Sequence, residues 1–254
     1  MRAARLAGRG GVLWVLLSLP VACRAQQPAQ SGEMGAMDST DRNATAAAHE
    51  AMSGPMRADP HLRMTPSRRG TAADSARAAA LVAQIREALG KYRDVRVADA
   101  DGFRQFLPGV RQPVYHFTNW LNALGEGFRF DPAKPTSLLY RQSADGRFEL
   151  IGAMYADRAR ATENELDGRI PLSVAHWHEH VNWCVPPRGQ RERWRETRAG
   201  RPVFGPRSPI ADAAACAAVG GRFLPRIFGW MVHIQAFASD DPAVIWSTGH
   251  DHDP

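Results

Sequence analysis

Residues 174–184 read V-A-H-W-H-E-H-V-N-W-C. Side chains of an extended strand alternate between its two faces, so His176, His178, His180, Asn182 and Cys184 share one face. The other face carries Ala175, Trp177, Glu179, Val181 and Trp183. A chain holding this segment needs a sheet that packs one apolar, aromatic face and presents imidazoles on the other. The segment reads as a metal-binding strand.

The spacing also bears on chemistry. Alternate residues of a strand lie about 6.5–7 Å apart, and a transition-metal ion holds imidazole nitrogens at about 2 Å. Two such histidines can lean onto one ion, whereas three in a row span too much for an unbent strand. The expectation is one pair, His178 and His180, with a third ligand from another strand and His176 as a further candidate. The competing reading is a set of packed, hydrogen-bonded core histidines. Asn182 and Asn119 are candidates to orient the rings from behind. Glu179 faces away, which makes it a poor base for a metal-bound water and a natural partner for an arginine.

Other strands offer the third ligand. Residues 114–119 (V-Y-H-F-T-N) put His116 and Thr118 on one face, and residues 228–237 put Met231, His233 and Gln235 on one face. Segments 137–142 and 147–155 flank Asp145-Gly146, a hairpin signal. Helical spacing of Ala78, Leu81, Val82, Ile85, Leu89 and Tyr92 predicts a long helix broken at Gly90, and a shorter one follows Asp94. Thr162-x-x-Glu165 reads as a capping box opening a short helix. Ser208-Pro209 predicts a helix running to Val219, closed by Gly220-Gly221. The fold expected is a single α+β domain over residues 71–248, with a central, mainly antiparallel sheet, an N-terminal helical segment and a late helix.

Ahead of that domain, residues 1–25 have arginines at 2, 5 and 9, an apolar run from Gly11 to Leu19, and small residues before Ala25. This is the pattern of a cleaved secretory signal, too short to span a membrane, with lipidation at Cys23 as the alternative. It implies an exported protein, periplasmic or extracellular. Residues 26–70 contain no aromatic residue, valine or isoleucine and a single leucine, Leu62, so they read as a disordered leader. Five of the eight methionines fall there, Met34, Met37, Met52, Met56 and Met64, together with His49 and His61. Thioether plus imidazole favours copper, Cu(I) especially, so these are candidate accessory ligands, the alternative being a tolerant linker. Residues 249–254 form a tail with a further H-x-H at His250 and His252.

The signal carries four arginines and no acid, so what remains has 28 basic and 26 acidic residues. A net charge of about +2 gives no support to nucleic-acid binding. Six arginines between Arg188 and Arg201 read as a solvated loop rather than an anion patch. Cys184 and Cys216 are the cysteines left after the signal, and in an exported chain such a pair reads as a disulfide, with a cysteine-liganded metal as the alternative.

The segments P-V-Y-H-F-T-N (113–119), F-D-P-A-K-P (130–135) followed by S-L-L-Y (137–140), L-I-G-A-M-Y (150–155), H-W-H-E-H-V-N-W-C and G-W-M-V-H (229–233) resemble those of a group of uncharacterised exported bacterial proteins. The resemblance spans about residues 75–247 and implies export and a single domain. It brings no activity.

No nucleophile elbow, H-E-x-x-H, phosphate loop or dinucleotide fingerprint is present. The leading functional expectation is binding of copper before zinc for storage, delivery or resistance. The alternatives are a metalloenzyme whose ion keeps an open position, and a disulfide-stapled binding module without metal.

Overall fold

The computed structural model describes residues 59–106, 108 and 112–247. Helix α1 (Ala72–Leu89) opens with a capping box in which the Thr71 side chain accepts from the Asp74 backbone and Asp74 reaches back to the cap. Its buried stripe is Ala78, Leu81, Val82, Ile85 and Leu89, as the spacing predicts. A 3₁₀ turn (Gly90–Arg93) and helix α2 (Val95–Ala100), capped by Asp94, follow.

Every pairing in the main sheet is antiparallel. Its strands are β1 (Leu62–Met64), β2 (Arg104–Gln105), β3 (Tyr115–Thr118), β4 (Ser137–Gln142), β5 (Phe148–Asp157), β6 (His178–Val185), β9 (Arg222–Arg226) and β10 (Trp230–Ile234). The order is β1-β6-β10-β5-β4-β3-β2, and β9 pairs with the second half of β6. A two-stranded ribbon, β7 (Thr197–Arg198) and β8 (Arg201–Pro202), occupies the arginine-rich loop. The shorter helices are α3 (Trp120–Glu126), α4 (Glu163–Arg169), α5 (Ala213–Ala218) and α6 (Pro242–Ile245). The described residues therefore form an α+β fold.

One face of the sheet is the core. Phe117, Tyr140, Tyr155, Trp177, Trp230 and Val232 pack against the buried stripe of α1. The Tyr140 hydroxyl donates to the Tyr92 carbonyl at 2.6 Å and Arg86 donates to the Ala236 carbonyl at 2.7 Å, pinning helix to sheet. The Asp145-Gly146 hairpin joins β4 and β5, with Gly146 at a φ of 83°. Between β5 and β10 the backbones approach so closely that a Cβ on Gly152 would overlap the Ile234 carbonyl oxygen.

Several expectations need correction. The histidine strand begins at His178, not Val174, because Val174 and Ala175 both donate to the Pro171 carbonyl and close a helical turn. The segment read as leader reaches only part way: Leu62–Met64 pair with His178–His180 as strand β1, and His61 and Leu62 are buried. The helix expected from Ser208 is only Ala213–Ala218, capped by Asp212, because the Ser208 hydroxyl donates to the Val203 carbonyl and accepts from Ile210, which builds a turn instead. Helix α3 and strand β9 have no signal in the sequence reading. In α3 the only buried residue is Glu126, so no apolar stripe announces it.

Cys184 and Cys216 form a disulfide with Cα atoms 5.4 Å apart, tying β6 to α5. Gly221 sits against the bridge, where a Cβ would collide with both sulfurs. No described helix is long and apolar enough to cross a membrane. The expected signal, Cys23, residues 26–58 with Met34, Met37, His49, Met52 and Met56, and the tail histidines lie outside the described residues.

Candidate histidine site

The sheet face opposite α1 gathers histidines from three strands. His116 on β3, His178 and His180 on β6, and His233 on β10 are 2%, 2%, 3% and 7% exposed. The Nε2 atoms of His116 and His233 are 3.4 Å apart. Ring centroids are 5.3 Å apart for His116 and His233, 5.3 Å for His178 and His233, and 5.7 Å for His178 and His180. The four rings thus form a chain, His116 to His233 to His178 to His180, beneath the surface.

Register explains how they meet. Residues directly opposite in an antiparallel pair share a face with Cβ atoms about 4.5–5.5 Å apart. His233 is opposite Met154, which is opposite Ser137, which is opposite Thr118. One row over, Met64, His178, Met231 and Ala156 follow one another across β1, β6, β10 and β5. His178 is therefore flanked by methionines on both sides, and His233 faces a third. Met154 and Met231 join Leu139 and Ile151 in a small buried cluster on this face.

The geometry compares with two chemistries. Two nitrogens each about 2.0–2.1 Å from one tetrahedral ion are about 3.3–3.4 Å apart, with ring centroids about 5 Å apart. The His116–His233 separation matches that pair, and it also suits an N–H···N hydrogen bond between neutral rings of complementary tautomer. Among the described residues, no set of three or more histidine, cysteine or carboxylate donors is drawn tightly enough around one point to hold a metal ion.

Other candidates are placed elsewhere. His176 precedes the strand, its ring 3.3 Å from both the Ser67 hydroxyl and the Thr65 carbonyl, so it does not join the four. Asn119 caps α3, accepting from Leu121 and Asn122, and Asn182 donates to the Pro60 carbonyl; neither orients a ring of the cluster. Asn182 has a φ of 59°, which interrupts the strict alternation, and the Trp183 ring comes to lie 5.7 Å from that of His180. The ring nitrogens of His61 lie 3.0 and 2.7 Å from the carbonyls of Asn182 and Ser208, so it is a structural link rather than an arm ligand. Met64 is beside His178, as part of a strand. Glu179 is fully buried and pairs with Arg63 and with Arg226 Nε at 3.0 Å. Burial raises its carboxyl above the usual range, against the pull of the two arginines.

Beside the histidines opens a cavity of about 680 Å³, bordered by His116 and His180 and walled by Trp120, Leu124, Phe128 and Phe228. Behind its wall lies Glu126, 2% exposed, which accepts from the Thr136 hydroxyl and from the Ala156 backbone at 2.9 Å. Burial pushes its carboxyl up to about 8, although both hydrogen bonds and Arg169 pull the other way. Sequence reading missed Glu126 and the cavity entirely. Met231 it placed on the His233 face without assigning it a role. Searches against protein-family models, curated proteins and solved structures find no match to this chain.

Proposed function

We propose that this protein is an exported binder of a transition-metal ion, copper before zinc, serving storage, delivery or resistance. His116 and His233 would be the anchoring ligands, with His178 as the third and His180 beside it. The observation that carries the reading is the 3.4 Å separation of two buried Nε2 atoms from different strands, which equals the edge of a tetrahedral site. A modest rotation of the His178 ring toward His233 would complete a three-nitrogen set. The three methionines bordering His178 and His233 favour copper, since thioether sulfur suits Cu(I) and has little affinity for zinc. Export rests on the N-terminal segment and accords with the Cys184–Cys216 bridge.

Elemental analysis of protein purified from an exporting host tests this. One ion per chain is expected, lost in a His116→Ala, His233→Ala double variant that still folds and keeps its disulfide. Full metal content in that variant would overturn the assignment. Met231→Leu should weaken Cu(I) binding about tenfold and leave zinc affinity unchanged. The cavity against His116 and His180 favours a second reading, a metalloenzyme whose ion keeps an open position toward a bound substrate. An exchangeable water ligand on the holoprotein distinguishes it from a closed storage site.

A further inference from the structure

The cavity carries an inference of its own, which does not rest on the metal. At about 680 Å³ it falls within the roughly 300–1,000 Å³ span of small-molecule sites. Its outer wall is helix α3 and the turn that follows it, where Trp120, Leu124 and, after the helix, Phe128 are 52%, 60% and 83% exposed, and all three border the cavity. A seven-residue helix that leaves its large apolar side chains in water and buries a glutamate is built to cover something other than this chain's own core. The inner wall adds Met154, Met231 and Phe228.

The acidic and arginine side chains that border the cavity are Asp157, Arg158, Arg160 and Arg226, and Arg226 donates to the Ala159 carbonyl at 3.0 Å, which groups them together. Arg158 is held by Glu165 at 3.0 Å and approaches Asp157, and Arg226 is held by Glu179. Asp157, buried, is also bound by Arg169 Nε at 2.8 Å. Arg160 is exposed and has no acidic partner among the described residues. Of the three arginines that border the cavity, Arg158 and Arg226 are thus paired with carboxylates, and Arg160 leaves its positive charge at the mouth of an apolar slot.

We propose that this cavity binds an amphiphilic monocarboxylate of the fatty-acid type. The chain would lie between α3 and the sheet, and the carboxylate would rest on Arg160. One uncompensated guanidinium matches one carboxylate, and a charge-assisted pair at the edge of an apolar site fixes orientation as well as affinity.

The test uses the full chain, treated with chelator so that metal plays no part, and displacement of the fluorescent polyene fatty acid cis-parinarate. Dodecanoate below its micellar concentration should displace the probe from a single saturable site, with dodecanol and dodecyltrimethylammonium at least about tenfold weaker. Arg160→Gln should weaken dodecanoate about tenfold without changing the melting temperature, and Leu124→Glu should abolish binding. Both residues are exposed, so folding is not at stake. Equal affinity for acid and alcohol, or full affinity in Arg160→Gln, would overturn the proposal. So would capture by phosphatidylglycerol vesicles without saturable binding of the monomeric acid, since that outcome makes α3 a membrane contact.

Discussion

Glu126 shows how one side chain can set a pH response. Its carboxyl is raised from 4.5 to about 8 by burial. Between those values the folded protein holds a proton that the unfolded chain has released, so stability falls as pH climbs through that window and is level above it. Replacing the acid with a permanently neutral amide removes the cost. Glu126→Gln should match the parent near pH 4.5 and exceed it at pH 9 by on the order of a few kcal/mol, measured by chemical denaturation at both values. Parallel pH curves for the two proteins would contradict the assignment. The His116–His233 pair was legible at this scale only in part. The sequence placed each ring on a strand face, but which nitrogens come within 3.4 Å depends on strands 117 residues apart. Asn119 illustrates the opposite error: its neighbourhood to a histidine strand suggested support for a ring, and local geometry made it a helix cap.

Among the elements, β6 is held from three sides. Strand β1 pairs with its first half and β9 with its second, while Cys184 ties it to α5. The bridge closes a loop of 32 residues, worth about 3–4 kcal/mol in the chain-entropy model. Reduction should therefore lower the melting temperature by about 10 °C, read by calorimetry with and without reductant. Gly221→Ala should act in the same direction, because its Cβ would displace both sulfurs, and the effect should shrink once the bridge is reduced. Periodicity identified α1, which buries a regular stripe, and the Asp145-Gly146 turn identified the β4–β5 hairpin, whose central residues are buried on both faces. Periodicity failed for α3, whose Trp120 and Leu124 face outward onto the cavity.

At the scale of the whole molecule, the boundary between leader and domain is the main revision. A chain beginning at residue 71 loses β1, with buried His61, Leu62 and Thr65, and exposes the edge of β6. Such a truncation should destabilise the domain by about 3 kcal/mol or more, whereas one beginning at residue 59 keeps the strand; comparing their denaturation midpoints decides it. Composition alone could not see this, because a three-residue strand with one leucine carries too little apolar signal to stand out from a disordered tail. What the sequence by itself determined is the alternation: which residues of β3, β10 and the first half of β6 share a face, that α1 packs along a stripe, and that Cys184 and Cys216 pair. These follow from the fixed periods of strand and helix, which act within a few residues. Only the tertiary structure decided the strand order and register, which bring four histidines and three methionines onto one face and leave His176 and Asn182 out of the cluster. It also decided that a cavity opens beside them, bordered by Arg160, which has no acidic partner among the described residues. Both depend on pairings between residues far apart in the chain, set by the packing of the whole sheet and not by any local pattern.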